Sequence, residues 1–305
     1  MNPILAVGSV AFDSIKNPFG EVARVVGGSA TYFSVAASFF TDVRLVAVVG
    51  EDFAGQAAQV FGGRAIDLAG LQTVPGETFR WKGEYGFDLN TRETIYTKLN
   101  VFEQFQPAIP AEYRSTPFVF LGNIHPRLQL DVLDQVKPPR LVAADTMNYW
   151  IQRTPAELRA VLRRVDVLII NDAEARELSH EVNLVKAARA IRAMGPRTVV
   201  IKRGEHGVLM TRPGEGEFFA APAMPLEQVF DPTGAGDAFA GGFVGSLAAE
   251  GDTTDAAMSR AIVYGSTLAS FAVEDFSLDR LLRLTHDEIR ERFRHFKRLT
   301  HFDEG

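Results

Sequence analysis

Short, unbroken apolar runs constrain this chain more than any other feature of its sequence. They are Ile4–Val7, Val43–Val49, Phe118–Leu121, Leu141–Ala144, Val167–Ile170 and Val199–Ile201. None alternates with polar residues. A strand that stays apolar at every position must be covered on both faces, which is the situation of a central parallel strand. Stretches with helical spacing separate the runs: Ser29–Phe40, Ala54–Ala69, Pro126–Val136, Pro155–Arg164 and Leu184–Met194. The last third reads as helix over Ala238–Glu250, Thr254–Val273 and Leu278–Arg298. Strands alternating with helices predict right-handed βαβ units. The expected class is α/β, a doubly wound, mainly parallel sheet flanked by helices.

One segment departs from that rhythm. Phe79, Trp81, Tyr85 and Phe87 recur at period two, with Arg80, Lys82, Glu84 and Asp88 between them. A polar turn over Asp88–Arg92 follows, then a second β-like run from Glu93 to Val101. This is antiparallel hairpin patterning. The reading is a core formed by 1–71 and 114–305, with 72–113 inserted as a small β lid. A plain surface hairpin is the alternative, but a row of large aromatics calls for something to cover.

Composition narrows the function. Lys and Arg number 32 against 38 Asp and Glu, a formal net charge of −6, so nucleic acid is not an expected partner. No stretch approaches the length of a membrane span, and Met1–Ser9 lacks a basic region leading a long apolar one. With no cysteine there is no disulfide, thiolate nucleophile or Cys-ligated metal, and a cytoplasmic location is expected.

The densest chemical signal is Asp231-Pro232-Thr233-Gly234-Ala235-Gly236-Asp237-Ala238-Phe239-Ala240-Gly241-Gly242-Phe243. A glycine-rich turn runs straight into an apolar helix. Its amides would converge on one concavity, and the helix start adds partial positive charge, so the turn reads as an anion site. Asp237 stands at its mouth, where a bound phosphate would repel it. Taking a proton from a hydroxyl that attacks phosphorus would give it a role there. A simple N-cap is the bland alternative. A dinucleotide fingerprint fails because Phe239 stands where a small residue is needed, and a Walker-type phosphate loop is absent.

The stretch Asp231–Phe243 resembles the C-terminal signature of the ribokinase-like, or PfkB carbohydrate kinase, family. Other pieces follow in that family's order: Gly8-Ser9-x-x-x-Asp13, Gly27-Gly28, Asn171-Asp172-Ala173-Glu174 and Lys202-Arg203-Gly204-Glu205-His206-Gly207. The resemblance covers essentially the whole chain, hairpin included. It implies an ATP-dependent phosphotransferase acting on a hydroxyl of a small sugar or polyol. Asp237 would be the general base, with Gly234, Ala235 and Gly236 as anion hole. Asn171 and Glu174 would position Mg2+ through waters and help hold the phosphates. Lys202, Gly204, Gly207 and Thr233 would lie along the nucleotide. Asp13, Gly27, Gly28 and Tyr32 would meet the acceptor beside Asp237. Asp231 and Thr233 would flank a candidate K+ loop. The lid is a candidate pairing surface for a homodimer.

The chain departs from the family at two acceptor positions. Tyr32 and Ala11 stand where many members carry Asn. A pocket that loses two amides and gains an aromatic is less ribose-like, so a nucleoside kinase stays open. A sugar or nucleotide sensor without turnover is the remaining reading. Near the C-terminus, Val273–Ser277 lacks the glycine that shapes the cation loop in many members. His125 and Asp145, each after a predicted strand, are weaker site candidates.

Overall fold

The computed structural model describes residues 2–89, 91–214 and 216–301. Asn90 of the expected hairpin turn therefore lies outside the described residues. In chain order the strands are β1 (Ile4–Val7), β2 (Ala11–Asn17), β3 (Gly20–Gly27), β4 (Val43–Gly50), β5 (Ile66–Val74), β6 (Phe79–Tyr85), β7 (Arg92–Lys98), β8 (Phe118–Leu121), β9 (Leu141–Asp145), β10 (Val167–Asn171), β11 (Thr198–Lys202), β12 (Val208–Thr211) and β13 (Phe218–Ala221). The helices are α1 (Ser29–Ala37), α2 (Gln56–Phe61), α3 (Pro126–Gln135), α4 (Asn148–Arg153), α5 (Pro155–Leu162), α6 (Asp172–Ser179), α7 (Leu184–Arg192), α8 (Ala235–Glu250), α9 (Asp255–Ala272), α10 (Asp279–Leu282) and α11 (His286–Thr300).

Nine strands form one sheet in the order β13-β12-β11-β10-β9-β8-β1-β4-β5. All neighbours are parallel except at the β12 and β13 end, which is antiparallel. Side-chain alternation explains the unbroken apolar runs. Leu5, Val7, Val119 and Leu121 enter one core with Val132, Leu158 and Ile191 of α3, α5 and α7. Ile4, Ala6, Phe118 and Phe120 enter the opposite core with Phe33, Phe243 and Ile262 of α1, α8 and α9. Phe33 and Phe120 stack there at 3.9 Å between ring centroids. The expected doubly wound α/β sheet is present.

A second sheet has the order β3-β2-β6-β7. It does not coincide with 72–113. Residues 72–74 complete β5, and the segment after β7 returns to the core, burying Phe105, Ile109 and Tyr113. Half of the small sheet comes from 11–27, which carried no strand pattern because Asp13, Lys16, Asn17 and Glu21 break the apolar sequence. The aromatic row is also interrupted. A register shift at Lys82 and Gly83 changes its phase, and Phe87, beyond β6, is 95% exposed. Strand β7 is an exposed edge carrying Ile95 and Tyr96, the surface to which the homodimer expectation refers.

Two helix expectations are corrected. Over Ala54–Ala69 only Gln56–Phe61 is helical, because Gly62-Gly63 ends the helix and Ile66 onward pairs with β4. Over Leu278–Arg298 the helix breaks before Thr285, whose capping box with Glu288 starts a new one.

Candidate active site

The carboxyl ends of β1, β9, β10 and β11 deliver Gly8-Ser9, Asp145, Asn171 and Lys202 to one edge of the sheet, where α/β folds bind ligands. Ser9 and Ser29 lock the turn after β1 against the start of α1. Ser29 N–H donates to Ser9 Oγ at 3.0 Å, and Ser9 N–H donates to Ser29 Oγ at 3.2 Å. Asp13 folds under Gly27, where an added Cβ would sit 1.9 Å from Asp13 Oδ2, so only glycine fits. Burial pushes Asp13 up to about 7, repulsion by Asp231 and Asp237 adds to it, and the Gly28 N–H and Arg92 oppose it.

The turn before α8 follows from Gly234, which caps the helix in the left-handed region at φ 74. A Cβ there would lie 2.4 Å from the Tyr32 ring. Tyr32, expected to line the acceptor pocket, is 1% exposed and packs beneath this turn. Of the three expected amides, Ala235 N–H closes the turn onto Pro232 O at 3.2 Å. The N–H groups of Gly234, Gly236 and Asp237 donate to no described residue. They are the unpaired donors of a helix start. Asp237 is not the N-cap, which is Gly234. Thr233 N–H donates to Asp231 Oδ1 at 2.9 Å and Ser277 N–H to Asp231 Oδ2 at 3.1 Å, so the candidate K+ loop is closed by its own hydrogen bonds.

Behind the turn, one ammonium pairs with one carboxyl and feels the charge of two more. Lys202 Nζ lies 3.4 Å from Asp145 Oδ2, and a Cβ on Gly236 would lie 2.8 Å from the same nitrogen. Asn171 is the register neighbour of Lys202. Asn171 and Glu174 form a capping box: Glu174 N–H donates to Asn171 Oδ1 at 2.8 Å, and Asn171 N–H donates to Glu174 Oε2 at 2.9 Å. Glu174 Oε1 takes no part in this box. Burial pushes Glu174 and Asp237 each up to about 7, Asp145 repels both, and Lys202 opposes the rise. Burial would lower Lys202, but Asp145, Glu174 and Asp237 outweigh it and hold the ammonium charged. A divalent cation entering with a nucleotide fits this surplus of buried acid. Among the described residues no three acidic or histidine side chains converge as a ready-made metal cage. Gly204 and Gly207 bracket the tight turn after Lys202, with Gly207 N–H donating to Gly204 O at 3.1 Å.

The small sheet reaches this floor. Tyr85 Oη and Thr233 Oγ1 are 2.9 Å apart. Arg92, at the start of β7, has its guanidinium over the Trp81 ring at 5.4 Å, and its charge opposes the rise of Asp13, Glu174 and Asp237 alike. Sequence reasoning missed Arg92, since a cation in a polar turn has no pattern of its own. His125 caps α3, its Nδ1 accepting from Arg127 N–H at 3.0 Å, and its ring lies 4.9 Å from Trp150 at a tilt of 59°.

The sequence pattern of the pfkB family carbohydrate kinases matches residues 1–282. This chain belongs to that family. As a pfkB kinase it is a phosphotransferase of the sugar and nucleoside kinase group. It is 31% identical to a cytidine kinase of Thermococcus kodakarensis over 251 residues, covering 80% of this chain and 88% of the relative. Its fold is similar to that of a nucleoside kinase of Methanocaldococcus jannaschii, an archaeal member of the ribokinase family, with a TM-score of 0.76 at 20% identity over 97% and 99% of the two chains. A Burkholderia thailandensis nucleoside kinase in complex with inosine gives 0.75 at 19% identity over 96% and 98%. No helix of the described residues is long and apolar enough to cross a membrane.

Proposed function

We propose that this pfkB kinase transfers the terminal phosphoryl of ATP to a hydroxyl of a nucleoside. The observation that carries the phosphotransfer reading is the turn at the start of α8. Unpaired amides of Gly234, Gly236 and Asp237 stand in the same turn as the half-buried Asp237 carboxyl, which accepts no hydrogen bond from the described residues. Asp237 takes the proton of the attacking hydroxyl, and the amides and helix start receive the charge that develops on the phosphoryl oxygens. Lys202 and Arg92 approach the phosphates from the floor and from the small sheet. Asn171 and Glu174 would hold Mg2+ through waters, and the ion would offset phosphate charge. Asp13, beside the Gly27-Gly28 turn, takes acceptor hydroxyls. Closure of the small sheet over the floor excludes water that would otherwise consume ATP.

The nucleoside acceptor is favoured by the cytidine kinase similarity across four-fifths of the chain. The test is ADP release from Mg-ATP with cytidine, adenosine, inosine, ribose, fructose and myo-inositol, each with Asp237→Asn alongside. One nucleoside should stand out, and Asp237→Asn should lower its turnover by about 10²–10⁴-fold. Near-native turnover in the variant removes Asp237 as base. A free sugar as the strong acceptor replaces the nucleoside reading, and ATP binding without any product makes the chain a sensor.

A further inference from the structure

The four-group cluster contains one carboxylate that the proposed reaction does not use. Asp145 ends β9, is 7% exposed, and is held at both oxygens and at its carbonyl. Its Oδ1 accepts from Thr146 N–H at 2.7 Å. Its Oδ2 faces Lys202 Nζ at 3.4 Å. Its carbonyl accepts from Gln129 Nε2 at 3.1 Å, and the same amide donates to Gly122 O at 3.0 Å. Asp145 is therefore fixed to the rigid sheet edge, whereas Lys202 carries a long side chain with several rotatable bonds. Without that anchor, the lysine would be divided between Glu174 and Asp237. Fixed by Asp145, its ammonium stays beside Gly236, next to the unpaired amides of the turn.

We propose that Asp145 is a positioning residue for phosphoryl transfer, anchoring the Lys202 ammonium against the Gly234–Gly236 turn. The inference rests on the phosphotransfer reading above. Asp145 itself touches neither acceptor nor phosphate. Its carboxylate sets where the lysine charge stands when the reacting phosphoryl arrives, and misplacing such a charge lowers turnover more than affinity.

The test variant is Asp145→Asn, in which the amide oxygen still accepts from Thr146 N–H and only the group facing Lys202 changes. Its crystal structure with Mg-ADP should show Lys202 Nζ displaced from Gly236. Its kcat should fall by about tenfold or more while the KM for ATP stays within about twofold, since the freed lysine still attracts phosphate. In a Lys202→Met background the same substitution should change kcat less than about twofold, because coupled residues fail to add. A merely structural role would lower kcat equally in both backgrounds. A Lys202 that keeps its place, an unchanged kcat, or a rise in the Mg2+ requirement that survives Lys202→Met each overturns the assignment. If Asp145→Asn does not fold, Asp145→Glu keeps the charge, moves it by about one bond, and must show the same displacement and kcat loss. A wild-type protein that binds Mg-ATP but phosphorylates nothing sinks the phosphotransfer reading, while the crystal structure still decides whether Asp145 places Lys202.

Discussion

Asp237 is held near neutrality by where it sits rather than by what it bonds. Burial and the repulsion of Asp145 push it up to about 7, and Lys202 and Arg92 only partly offset them. A base must be deprotonated to act, so the free-enzyme profile of kcat/KM should fall as pH drops through about 7 and level off above it. Asp13 and Glu174 stand near the same value, so the limb belongs to the group of three and its slope should exceed one. Rate measurements between pH 5 and 9 check this, and a flat profile down to pH 5 would contradict it. The sequence made most of these residues visible because the turn, Asn171–Glu174 and Lys202–Gly207 are each contiguous strings. Arg92 and Asp145 were not legible in the same way. Each matters through what approaches it across the fold, and Asp145 meets Lys202 from 57 residues away.

At the scale of elements, the small sheet is continuous with the Gly27-Gly28 turn. Strand β2 carries Asp13, β3 ends in Gly27, and β6 carries Tyr85 to Thr233. In the proposed reaction, closure of this sheet would therefore carry Asp13 and Gly27 with it. The parallel sheet was legible because burial on both faces leaves an unbroken apolar run. Strands β2 and β3 were not, because the outer face of the small sheet is solvated and admits Lys16, Glu21 and Arg24. Tyr85→Phe removes the hydrogen bond to Thr233 and leaves the ring in place. One net hydrogen bond is worth about 0.5–1.5 kcal/mol, so kcat/KM should fall by about 2–10-fold. Looser closure should also raise the ADP released per phosphorylated product. Measuring ADP and product together tests this, and unchanged rate with unchanged coupling would remove Tyr85 as a latch.

For the molecule as a whole, the site costs stability. Asp13, Glu174 and Asp237 all prefer to stay protonated in the fold, whereas the same groups in the unfolded chain ionise near pH 4. Between about pH 4 and 7 the unfolded state sheds these protons first, so each group subtracts stability progressively across that window and by a constant amount above it. Carboxylates held low elsewhere work in the opposite sense, Glu288 at about 2 among them, through Thr285 and Arg280. The clean quantity is therefore a difference between variants. Asp237→Asn removes one buried charge from beside Asp145, so without nucleotide it should melt at about the wild-type temperature at pH 4. It should melt at least about 2 °C higher at pH 7.5, since each kcal/mol shifts Tm by about 2–4 °C in a chain of this size. The same variant loses turnover, the exchange of stability for activity expected where like charges are gathered for catalysis. Scanning calorimetry of both proteins from pH 4 to 8 measures it. A difference in Tm that stays at zero across the range would mean that Asp237 ionises as freely in the fold as in water.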